Sequence, residues 1–143
     1  MTRPLTGTTL LLVHGDPLLR HDHAIALARA GARVRSSGRA EDARRLTEAE
    51  DVDAVIWDLE GTASGAVSAI REIRAAVTEK RRSVVALGLG SVLGEWDQGG
   101  RGAFDGYAPV PITPEQLVAR VSALLGRRAR REARTTRRLP RLG

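Results

Sequence analysis

"TLLLVHGDPLLR", residues 9–20, sets the architecture. Leu10–Val13 is a continuous apolar run, the pattern of a strand buried on both faces. The run breaks at His14-Gly15-Asp16, and Asp16-Pro17 is a helix-start signal: an Asp accepts from the orphan backbone N–H groups, and Pro is pre-set for the first helical position. A strand that turns directly into a helix is half of a βαβ unit. In open parallel sheets, ligands gather at that end of the strands. His14, Gly15 and Asp16 therefore mark the first place to look for chemistry.

The same alternation continues along the chain. Leu18, Leu19, Ile25, Leu27 and Ala28 predict the apolar face of the first helix, which Gly31 ends. Arg33-Val34-Arg35 reads as a short edge strand with alternating charge. Glu41–Glu50 is a second helix, and Asp53–Asp58 a third strand with an apolar middle buried on both faces. Ser64–Val77 is a third helix, with Val67, Ile70, Ile73, Arg74 and Val77 at helical spacing. Ser83–Leu87 is the fourth strand, and Ser91–Gln98 a poor fourth helix weakened by Gly94. Tyr107-Ala108-Pro109 is a weak fifth strand, followed by a fifth helix from Thr113 or Pro114 with Leu117, Val118, Val121, Leu124 and Leu125 on one face. Repeated βα units predict a doubly wound five-stranded parallel sheet with helices on both sides. Functional groups are expected where strands one and three end.

Composition bounds what such a fold does here. The 143 residues suit one domain, and scarce aromatics (3%) leave the core to Ala, Val and Leu. Without cysteine there are no disulfides and no Cys-based zinc sites. No apolar run approaches the length of a membrane span, and "MTRPLTGTT" lacks a signal-peptide core, so the expected location is cytoplasmic. The net charge of +6 is uneven: residues 127–143 hold eight Arg and one Glu, whereas residues 1–126 hold 15 basic and 16 acidic side chains. The basic pI thus describes a tail, not the domain. The expected division is an extension over residues 1–7, a domain over 8–128 and an Arg-rich tail over 129–143.

Three segments, in order and at the right separations, carry a family resemblance: "LLLVHGDPLLR", "DAVIWDLEG" and "GAFDGYAPVPITPEQLVARVSALL". Together they resemble the response-regulator receiver domain, the flavodoxin-like phosphoacceptor module of two-component signalling, over roughly residues 8–128. The resemblance implies strand order 2-1-3-4-5 in a three-layer α/β/α sandwich. It also implies five chemical groups: two acids after strand one that help bind Mg2+, an acceptor Asp after strand three, a hydroxyl after strand four and a Lys after strand five. They neutralise an anion transferring to another anion.

Carried over by position, the acceptor is Asp58. The acid positions are His14 and Gly15, the hydroxyl position is Gly88 and the Lys position is Val110, and none of the four has the required chemistry. Asp16 is acidic but belongs to the helix cap. The aromatic switch position is Tyr107, and the loop "LEGTASG" is one residue short of the family's. One carboxylate is a poor Mg2+ site. Each lost electrostatic contact costs about 3 kcal/mol of transition-state stabilisation. The resemblance, with these departures, implies a pseudo-receiver: no enzyme, no cofactor, no Mg2+, and signalling by contact with a regulatory protein or a second copy through the face of the fourth helix, fifth strand and fifth helix.

Several features stand beside that expectation. His14 and Asp58 end neighbouring strands, which predicts a hydrogen bond or ion pair sensitive to pH; the bland reading is a turn histidine and a turn-capping Asp. His21 and His23 lack the i, i+4 spacing of a helical metal pair. "GLGSVLG" (88–94) lacks the spacing of a phosphate-binding loop. Trp96 is either packed on the domain or an anchor for a partner. In the tail, Arg127, Arg128, Arg130, Arg131, Arg134, Arg137 and Arg138 form a candidate polyanion site, with Arg127–Arg134 prolonging the last helix. Two rival functions follow: a working phosphoacceptor using Asp58 with Asp16 recruited, and a nucleic-acid-binding accessory protein acting through the tail.

Overall fold

Alternation along each strand decides which helices cover which face of the sheet. In β1 (Thr9–Val13), Leu10 and Leu12 point to one side and Leu11 and Val13 to the other. The first pair joins a core with Leu27 of α1 (Pro17–Arg29) and with Leu117, Val121, Leu124 and Leu125 of α4 (Pro114–Arg138). The second pair joins a core with Ala43 of α2 (Ala40–Ala49) and with Ala66, Ile70, Ile73 and Val77 of α3 (Ala66–Glu79). In this computed structural model the described residues are 3–80, 82–90 and 103–138, with side chains through 135. The expected helix Ser91–Gln98, with Trp96, lies outside them.

The remaining strands are β2 (Arg33–Ser37), β3 (Ala54–Asp58), β4 (Val85–Leu89) and β5 (Gly106–Ala108). All pair in parallel, in the order β2-β1-β3-β4-β5. β3 and β4 are buried along their whole length, as their apolar runs require, whereas β2 is an exposed edge. Arg33 and Arg35 on that edge both reach Glu50, at 2.6 and 2.7 Å, so the edge is charged rather than open to strand addition. β4 ends two residues later than its sequence pattern predicts, because Gly88 and Leu89 pair with Trp57 and Asp58.

The inward face of α1 differs from its predicted face. Leu27 is buried as expected, but its companion is His23, while Leu18 is 77% and Ile25 36% exposed. At 3.6 residues per turn, His23, Leu27 and Ala30 share one row, and Leu18 and Ile25 lie on the opposite side. Leu19 is near the buried row but is half-exposed in the first turn, and Ala28 faces solvent. Alanines on several sides blur the apolar stripe, so the sequence pattern favoured the larger leucines.

The described residues of both expected appendages, 3–7 and 129–138, are joined to the domain's regular structure. Leu5 is fully buried, and its N–H donates to Ala30 O at 2.8 Å, so the segment 3–7 packs under α1 and is no free extension. The last helix starts with a reciprocal cap, in which Gln116 N–H donates to Thr113 Oγ1 and Thr113 N–H to Gln116 Oε1. It then runs unbroken to Arg138, so the expected boundary at 128 falls inside α4. Arg128 is a structural residue and not a free ligand of a polyanion. Its guanidinium donates to Asp53 O at 3.1 Å, Ser83 O at 3.2 Å and Asp53 Oδ1 at 3.2 Å. Asp53 Oδ2 in turn accepts from Thr9 N–H at 2.8 Å, and Ser83 Oγ donates to Glu132 at 2.6 Å. This network ties α4 to the N-terminal ends of β1, β3 and β4. Arg128→Ala leaves a largely buried carboxylate short of a donor and is expected to lower stability by about 2 kcal/mol. Urea unfolding should show the loss as a lower midpoint with an unchanged slope.

Candidate functional site

The register of β1 against β3 sets Val13 opposite Trp57, so the next residues, His14 and Asp58, meet at the C-terminal end of the sheet. Both are buried, each 5% exposed. A buried carboxylate needs partners. Asp58 finds them in its own loop: Oδ1 accepts from Glu60 N–H at 3.0 Å, and Oδ2 accepts from Gly61 N–H at 3.1 Å and from Thr62 Oγ1 at 3.3 Å. Two further bonds hold the same loop. Trp57 Nε1 donates to Thr62 O at 2.6 Å, and Leu59 N–H donates to Leu89 O at 2.8 Å.

That folded-in loop occupies the neighbouring positions. At Gly15, a Cβ would stand 2.9 Å from Thr62 Oγ1, so the threonine hydroxyl takes the space of any side chain there. At Gly88, a Cβ would stand 2.6 Å from Leu59 Cδ1 and 3.0 Å from the Tyr107 ring. Leu59 is buried and Tyr107 half-buried against the same core, with the Phe104 ring 5.6 Å from the Tyr107 ring. Asp16 does not turn inward. Its Oδ1 accepts from Leu18 and Leu19 N–H at 2.9 and 3.2 Å, capping α1 as its sequence predicts. Val110 is 37% exposed and precedes Pro111 across a cis peptide bond.

His14 and Asp58 are adjacent, but they share no hydrogen bond. The Nδ1–Oδ2 distance is 3.7 Å, and Nδ1 instead accepts from Asp16 N–H at 3.1 Å. Arg20 braces the turn by donating to His14 O at 2.8 Å. His23 of α1 completes the cluster, its ring 5.6 Å from that of His14. Burial, followed by the neighbouring His14, pushes the His23 pKa below its usual 6.5 against the opposing pull of Asp22 and Asp58. Among the described residues no three His, Asp or Glu side chains are grouped to hold a metal ion.

The site thus unites Asp58, His14, Gly15, Gly88 and Tyr107, with Asp16 beside it at the start of α1. Sequence reasoning missed Leu59, Thr62 and His23. A signal for the first two was present: glycine at positions 15 and 88 leaves room that a neighbour must fill.

Refilling position 88 should expose this complementarity. Gly88→Thr is expected to destabilise the chain by about 1–3 kcal/mol through overpacking. Adding Leu59→Ala should return part of that loss, a non-additivity read from urea unfolding of the two single variants and the double variant. His23 makes a separate expectation. Its folded pKa lies below 6.5, so the unfolded chain takes up the proton first as pH falls. Its contribution to stability is complete above the unfolded value and is lost as pH drops towards the folded one. Unfolding measured at about pH 8 and about pH 5 should show this decline in the parent and a shallower one in His23→Gln.

No family model matches the sequence, and no curated protein matches it. Solved structures do. Chemotaxis protein CheY4 of Vibrio cholerae matches with a TM-score of 0.71 at 19% identity, over 82% of this chain and 98% of that one. The receiver domain of a sensor histidine kinase from Pseudomonas aeruginosa, which has magnesium coordinated in its active-site cleft, matches at 0.71 and 25% identity, over 85% and 99%. An uncharacterized protein from Neptuniibacter caesariensis matches at 0.74 and 16% identity, over 95% and 98%. With its parallel β2-β1-β3-β4-β5 sheet and helices on both faces, the chain has the fold of the CheY-like response-regulator receiver domains.

Proposed function

We propose that this chain is a receiver-like signalling module that acts through protein–protein contact and does not use Mg2+-dependent phosphoryl transfer to switch. The observation that carries this reading is a pocket filled from within. Thr62 lies against Gly15, Leu59 covers Gly88, and the Asp58 carboxylate caps its own loop.

The residues present do not fit a divalent cation. Mg2+ demands near-octahedral oxygen ligands. Here one carboxylate already accepts three hydrogen bonds, and its neighbours are an imidazole and a glycine. A phosphoryl group on Asp58 would displace those donors and meet neither the hydroxyl nor the Lys that conventional receivers place there. The rival use of Asp16 requires it to leave the N-terminus of α1, where it accepts two backbone N–H groups.

The contact face belongs to β5 and the adjoining side of α4, where Val110 is exposed and Arg120 donates to Tyr107 O at 3.4 Å. The occupant is a regulatory protein or a second copy of the chain. Incubation with acetyl phosphate and Mg2+ is expected to leave the intact mass unchanged. Beryllofluoride with Mg2+ should leave the amide spectrum around Asp58 and Tyr107 unmoved. A gain of one phosphoryl mass that disappears in Asp58→Ala overturns the proposal.

A further inference from the structure

The arginines of α4 divide into two sets by their position around the helix. Arg128 points inward to Asp53 and Ser83. Arg127, Arg130, Arg131 and Arg134 recur at i, i+3, i+4 and i+7, within about 100° of one side. All four are exposed, and together with Leu124 and Asp105 they line one cleft of ≈ 350 Å³. The Asp105 carboxylate there is already engaged by Arg74 at 2.6 Å and Ala86 N–H at 2.8 Å.

These four differ from many arginines elsewhere on the surface. Arg33 and Arg35 pair with Glu50, Arg44 with Glu48 and Glu72, and Arg45 with Asp42. Among the described residues no carboxylate lies within 4.0 Å of Arg127, Arg130, Arg131 or Arg134. Like charges three and four residues apart repel along a helix. The stripe is therefore destabilising unless an anion covers it, and Glu132, the acid of this segment, faces Ser83 instead.

We propose that this stripe binds the phosphodiester backbone of double-stranded nucleic acid, without reading its sequence. The guanidinium fork matches phosphate oxygens two at a time. From Arg127 to Arg134 the helix rises about 10 Å, the axial length over which one strand of a duplex carries about three phosphates. Tyr107 is the last aromatic in the chain, so α4 offers no platform for stacking the bases of a single strand. From Gly126 to Arg138 no large apolar side chain occurs, so this half of the helix lacks the face that interfacial membrane helices insert into lipid. The site is separate from the His14–Asp58 end of the sheet, and the inference does not depend on how that end signals.

Fluorescence anisotropy of the full chain with a labelled duplex of arbitrary sequence tests it, across about 50–200 mM salt. Binding should weaken with a linear slope of log K against log salt. Replacing all four by Gln (R127Q, R130Q, R131Q and R134Q together) should make that slope shallower by about 3–4, at about 0.9 per arginine. Arg130→Gln alone should produce about one quarter of that change. Circular dichroism of the variant checks that α4 remains helical. No duplex binding at the lowest salt, an unchanged slope in the quadruple variant, or tighter binding to a poly-glutamate peptide or to anionic phospholipid vesicles than to the duplex overturns the proposal. Equal loss on duplex DNA and duplex RNA supports backbone recognition.

Discussion

Asp58 ends a strand that is buried on both faces, and its carboxylate has almost no access to water. A charge in that position must be compensated locally, because desolvation of an unpartnered carboxylate outweighs most packing gains. Conventional receivers compensate it with a metal and a lysine. This chain uses the loop that follows, with two backbone N–H groups and the Thr62 hydroxyl converging on the two carboxylate oxygens. Pulling the loop in has consequences on both sides. Thr62 comes against the backbone of Gly15, and Leu59 comes over Gly88, so the glycines are complements of the folded-in loop. Under the proposed function, the same carboxylate that would receive a phosphoryl group is a structural cap.

The opposite end of the sheet is held by a second, half-buried acid. Asp53 accepts from Thr9 of β1 and from Arg128 of α4, and so connects the first strand to the last helix. Arg82 approaches the same carboxylate at 3.5 Å. This anchor is why α4 continues as a helix well past the core leucines: Arg128 and Glu132 fasten its next turns to the domain. Once that side is fixed, the helical period turns Arg127, Arg130, Arg131 and Arg134 to a common outer face. Docking of α4 and presentation of a cationic stripe are thus two results of one geometry.

Much of the fold was legible because burial on both faces writes itself as uninterrupted apolar runs. Leu10–Val13 and Val55–Trp57 read directly as strands, and Asp16-Pro17 and Thr113-Pro114 read as helix starts. The inward face of α1 was not legible. Its alanines pack on several sides, and its large apolar residues, Leu18 and Ile25, face solvent while His23 is buried. Polarity predicts exposure only where no neighbour compensates it. His23 and Arg128 break that rule because other elements reach them.

By itself the sequence determined the α/β alternation, the placement of Asp58 at a strand end, and the loss of acid, hydroxyl and lysine at the positions the resemblance identifies. Those are properties of local pattern and of side-chain chemistry at single positions. Only the tertiary structure decided what occupies the space left behind, which arginine of the tail is internal, and that His14 accepts from Asp16 N–H while its Nδ1 stands 3.7 Å from the Asp58 carboxylate. These depend on contacts between residues that are distant in the chain or set by the bend of a loop, and no periodicity along the sequence encodes them.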